Sequence, residues 1–99
     1  MYSMVIEINK NMPVDVLGQL KCIVENAFLN RGGNVKNTSK DNTKFEFKAN
    51  EKERGCLDLG LVALVNNNLF MSNVDTWKWI DDENPDESCN VLNEISEMR

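Results

Sequence analysis

Ninety-nine residues suffice for one domain with a single core, and the composition, 41% hydrophobic and 27% charged, is that of a globule rather than a disordered tail. Eleven basic residues against sixteen acidic ones leave a net charge of −5, which disfavours direct binding to phosphate backbones. Histidine is absent, which removes Ser-His and Cys-His nucleophile pairs and the imidazole ligands of most catalytic zinc sites.

Residues 2–9 alternate, with Met4, Ile6 and Ile8 on one side and Ser3, Glu7 and Asn9 on the other, the pattern of a strand. Val5 interrupts the polar side, which places the strand inside a sheet rather than at its edge. A helix then starts at Asn11 or Met12, with Pro13 in its first turn and Asp15 facing the positive end of the helix dipole. Leu17, Leu20, Val24, Ala27 and Phe28 form its apolar stripe, and Arg31-Gly32-Gly33 supplies a stop. Residues 34–42 read as a surface loop, and 43–49 as a half-buried strand with Phe45, Phe47 and Ala49 inward. For 56–65 a helix is open, but Gly60, Val62 and Val65 favour a strand, turned at Asn66-Asn67-Asn68 into another over 69–80. That last strand carries Phe70, Val74 and Ile80 on one face and Met71, Trp77 and Trp79 on the other. Asn84-Pro85-Asp86-Glu87 has the form of a helix start, with Val91, Leu92, Ile95 and Met98 as the stripe that follows. The expected fold over residues 1–99 is a single α+β domain: a four-stranded, mostly antiparallel sheet in the order β-α-β-β-β-α, with helices packed on it.

No apolar run approaches the ~20 residues of a membrane helix, and the first residues lack the basic start of a signal peptide. Cys22, Cys56 and Cys89 are odd in number and widely spaced, which suits buried reduced thiols in a cytoplasmic protein. None of them has a histidine to activate it, and consecutive exposed acids do not make the pocket a general acid requires. No catalytic residue, metal ligand or cofactor is expected, and the chain is read as a binding protein rather than an enzyme.

Charge is distributed unevenly. Residues 1–50 carry seven Lys or Arg and five Asp or Glu; residues 51–99 carry four and eleven. Asp81, Asp82, Glu83, Asp86 and Glu87 fall within seven positions, next to Asp75, Trp77 and Trp79. Three readings are open for this run. As a solvated loop and helix start, its acids contribute ~0.3–1 kcal/mol each against the helix dipole. As a calcium loop it fails, because the sixth and twelfth positions counted from Asp81 or Asp82 hold neither Gly nor Glu in the required order. As a docking surface, the acids form a charged rim and one tryptophan fills a partner's pocket, while burial of one or both rings under a helix is the alternative. The candidate partner-binding residues are Asp75, Trp77, Trp79, Asp81, Asp82, Glu83, Asp86 and Glu87.

In size, acidity and element order the whole chain resembles the immunity proteins of bacterial toxin systems, such as those paired with contact-dependent growth-inhibition toxins. The likeness carries no residue roles with it. It implies a basic toxin domain as partner, a nuclease, neutralised by a monomer in a one-to-one complex, with no direct contact to nucleic acid or membrane. Two alternatives fit the same residues. One is a type III-type secretion chaperone, dimeric, binding an extended peptide through apolar surface from Leu57–Val65. The other is a DNA-mimic inhibitor of a guided nuclease.

Overall fold

The computed structural model describes residues 2–29, 39, 43–84, 86 and 88–98. Its elements are β1 (Tyr2–Ile8), α1 (Val14–Leu29), β2 (Lys44–Ala49), α2 (Arg54–Val65), α3 (Asn68–Met71), β3 (Val74–Asp81), β4 (Cys89–Asn90) and α4 (Val91–Met98). The strands form one antiparallel sheet in the order β2-β1-β3-β4, so the α+β class and the four-stranded sheet expected from the sequence are present.

Three parts of the expected element order are corrected, the first being the strand expected over 69–80, which begins at Val74 because Asn68–Met71 is the helix α3. The segment 56–65 is the helix α2, not a strand, and the fourth strand is Cys89–Asn90, so the helix expected from Asn84 starts at Val91 instead. Leu57, Gly60 and Leu64 recur at helical spacing and are the buried residues of α2. Gly60 breaks no helix here: a Cβ at that position would overlap ring carbons of Phe28, so the glycine is where α2 closes on α1. The asparagine run is not a hairpin turn. Asn66 ends α2, its Nδ2 donating to the Val62 carbonyl at 3.0 Å, and the Asn67 side chain caps α3 by accepting the Phe70 N–H at 3.0 Å.

β1 is central, as Val5 implied. Met4 lies between Phe47 and Trp79, and Ile6 between Phe45 and Trp77, which puts the large apolar side chains of three strands on one face. That face packs against Leu20, Val24 and Phe28 of α1, Leu57 and Leu64 of α2, Phe70 of α3 and Val91 of α4 in one core. Phe28 stacks on Phe47 with ring centroids 4.2 Å apart, and Phe70 meets Trp77 edge-on at 5.2 Å. The opposite face alternates to Glu7, Lys44, Glu46, Lys48 and Lys78, with ion pairs Lys44–Glu7 at 3.8 Å and Lys48–Glu46 at 3.6 Å. Both pairs are solvated and contribute ~0–1 kcal/mol each, so the core face holds the sheet. The expected helix stop Arg31-Gly32-Gly33 and the loop 34–42, apart from Ser39, lie outside the described residues. No helix among the described residues is long and apolar enough to cross a membrane.

Candidate functional site

β3 carries four of the eight candidate residues, Asp75, Trp77, Trp79 and Asp81. Between Glu7 and Ile8 the register of β1 against β3 shifts, pairing Glu7 with Thr76 and Ile8 with Val74, which leaves Asp75 as the extra residue of a bulge. Asp75 is exposed, six residues and therefore ~20 Å of strand from Asp81. It is remote from the rest of the acid run.

Trp77 and Trp79 share a face, as the alternation required, but it is the core face. Trp77 is fully buried and Trp79 is 9% exposed. The indole Nε1 of Trp77 has no hydrogen-bond partner among the described residues, a cost of about 1–3 kcal/mol that its packed ring offsets. Neither ring is displayed as the anchor of a docking surface, and the aromatic part of the expected interface is core instead.

Asp81, on the same face, is 3% exposed. Its Oδ1 accepts the backbone N–H of Glu83 at 3.0 Å and of Asn84 at 3.2 Å, while its own N–H donates to Ser88 Oγ at 2.9 Å. Asp forms this kind of turn readily because its short carboxylate reaches N–H groups two and three residues ahead. Asp81 therefore holds the turn over residues 82–84 at the end of β3. Asp82, Glu83 and Asp86 are exposed around that turn; Glu87 lies outside the described residues.

The sequence reading missed the neighbouring cleft. Between α2 and α4 lies a cavity of about 310 Å³ with Trp79 and Cys89 as its floor, Leu61, Val91 and Ile95 as apolar walls, and Arg54, Asp58 and Glu94 as its polar groups. The Arg54 guanidinium lies 5.1 Å from the Tyr2 ring centroid and 5.9 Å from that of Trp79, a cation–π arrangement at the mouth. Burial, and after it the Glu94 carboxylate, push the Cys89 thiol above its ordinary value. Cys22, expected to be buried, is exposed on α1; Cys56 and Cys89 are half-buried, and none of the three is in a disulfide. No three metal-ligating side chains come together among the described residues. The signal for the cleft was present only as Asp58 and Glu94, isolated acids on segments whose secondary structure had to be right before they could line one cleft.

Comparison with protein-family models, with curated proteins and with solved structures returns no match for this chain.

Proposed function

We propose that the chain is a binding protein that neutralises a basic toxin domain, a nuclease, by laying the acidic end of the β3–β4 hairpin over its cationic cleft. The observation that supports this is the ordering of the tip. The buried Asp81 carboxylate holds the Glu83 and Asn84 amides, so Asp82 and Glu83 are presented on a turn held by two hydrogen bonds, with Asp86 exposed further along the chain. Fixing the turn beforehand lowers the ordering cost of association, and carboxylates facing a basic cleft accelerate encounter. The contact set shrinks to Asp82, Glu83 and Asp86 on the tip, with Asp58 and Glu94 in the cleft between α2 and α4. Trp77, Trp79 and Asp81 support the tip from within, and Asp75 lies at the far end of β3.

The test is stopped-flow association with purified basic nuclease toxin domains, at low and physiological salt. The triple reversal Asp82→Lys, Glu83→Lys and Asp86→Lys is expected to fold normally and to associate at least about tenfold more slowly at low salt. An unchanged rate would remove the acidic tip from the interface. Failure of the wild type to inhibit such a nuclease would remove the function.

A second reading draws on α2. Leu59 and Val62 are 53% and 54% exposed on a helix whose only charges are Arg54 and Asp58. An apolar outer face of this kind suits a secretion chaperone that binds an extended peptide. Sedimentation distinguishes the two readings: a chaperone should be a dimer that Leu59→Lys with Val62→Lys dissociates, and an immunity protein a monomer that those changes leave alone.

A further inference from the structure

We propose that the cleft between α2 and α4 is the anchor pocket for a single arginine side chain of the basic partner. This rests on the acidic-docking reading and names the chemistry the partner must bring.

The cavity comes first. Its ~310 Å³ is at the small end of ligand sites, room for one long side chain rather than a cofactor. Its walls are aliphatic (Leu61, Val91, Ile95) and its floor is the Trp79 indole, which suits a methylene stem that must leave water while its head stays polar. Charge comes second. Asp58 from α2 and Glu94 from α4 line the cleft from opposite helices, both are exposed, and neither forms an ion pair among the described residues. With Arg54 counted, the lining carries one net negative charge, which an incoming cation neutralises. The Tyr2 and Trp79 rings already carry the guanidinium of Arg54, which leaves Asp58 and Glu94 as the groups that meet an incoming cation. Arginine fits better than lysine because its planar fork donates towards both helices at once and is the more weakly hydrated of the two cations.

The experiment uses the full chain, isotope-labelled for NMR, titrated with acetyl-Gly-Arg-Gly-amide and with the same peptide carrying citrulline, which keeps the shape and removes the charge. The arginine peptide should shift the Trp79 indole and the Leu61 and Ile95 methyl groups with a millimolar Kd, and citrulline should bind at least about tenfold more weakly. Asp58→Asn with Glu94→Gln, both at exposed positions, should abolish those shifts and leave the rest of the spectrum in place. Neutralising the tip with Asp82→Asn, Glu83→Gln and Asp86→Asn should change the peptide's Kd by less than about twofold at physiological salt. Equal binding of citrulline, shifts confined to the hairpin tip, or no shift at about 20 mM peptide would each overturn the pocket. Deca-arginine separates this failure from that of the function. Binding of deca-arginine that depends on the tip, without tripeptide binding, overturns the pocket and spares acidic docking; no binding of either overturns both.

Discussion

The two flanks of the sheet are held by different means. On the β2 side, six successive register pairs run from Tyr2–Ala49 to Glu7–Lys44, with Phe45, Phe47 and Ala49 turned into the core. On the β4 side the ladder has two pairs, Lys78–Asn90 and Trp79–Cys89, after which side chains take over: Ser88 Oγ receives the Asp81 N–H and Asp81 Oδ1 receives two more. The first flank is fixed by backbone and aromatic packing and tolerates little. The second is fixed by a few polar contacts around a loop, so its surface can change chemistry without unfolding the sheet. The proposed binding residues lie on this second flank, in the exposed acids and the α2–α4 cleft.

The contrast is broken most severely from the β2 side. Phe47→Ala removes a fully buried ring that stacks on Phe28 and should cost about 3–5 kcal/mol, a large share of the ~5–15 kcal/mol expected of a domain this size. Denaturant unfolding measures it, and a loss below about 1 kcal/mol would mean that the site collapses and that the flank is not as tightly determined as the stacking suggests. Gly60→Ala comes next. The added methyl overlaps Phe28, so overpacking of about 1–3 kcal/mol should outweigh the gain of ~1 kcal/mol in helix propensity. A stabilised Gly60→Ala protein would show that α2 and α1 can separate.

On the β4 side the effects should be smaller and local. Asp81→Ala strips two backbone N–H groups of their acceptor and should cost about 1–2 kcal/mol, with amide exchange accelerating at Glu83 and Asn84 and not in β1. Asp81→Asn keeps an acceptor oxygen and should recover part of the loss. Neutralising Asp82, Glu83 and Asp86 together, all exposed, should move stability by less than about 0.5 kcal/mol while slowing association with a basic partner. If that change unfolds the protein, the tip is structural and the division between the flanks is wrong.

How much of this could be read beforehand follows the same division. The alternation of Met4, Ile6 and Ile8 and of Phe45, Phe47 and Ala49, with the stripe Leu20-Val24-Phe28, carries a local period that survives into the fold, and the sheet-and-α1 core was legible from it. α2 was not, because Gly60, Val62 and Val65 weaken helix propensity and the reason for the glycine, contact with Phe28, is tertiary. With 56–65 read as a strand, Asp58 had no helix opposite Glu94 and the cleft could not be seen. Within the site, the period of two put Trp77 and Trp79 on one face but could not say that this face was the covered one. Nor could it show that Asp81, alone among the acids of described burial, turns inward, since alternation separates Asp81 from Asp82 without telling which side meets the helices.

The smallest expected effect tests whether α4 closes over the β4 flank as described. The Cys89 thiol is raised above its ordinary value of 9.0, first by burial and then by the Glu94 carboxylate, both of which disfavour the thiolate. The native state thus holds this proton more tightly than the unfolded chain. The resulting stability is fully present below the unfolded pKa and is lost as pH rises through the folded one, so stability should decline slightly above about pH 9. The same shift slows alkylation: near pH 8.5, iodoacetamide should modify exposed Cys22 well before Cys89. Glu94→Gln removes the second cause and leaves the first, so Cys89 should react up to a few-fold faster while Cys22 is unchanged. If Glu94→Gln left the Cys89 rate untouched, Glu94 would not face the β4 thiol, and the α4 wall of the cleft would lose the carboxylate on which its charge complementarity depends.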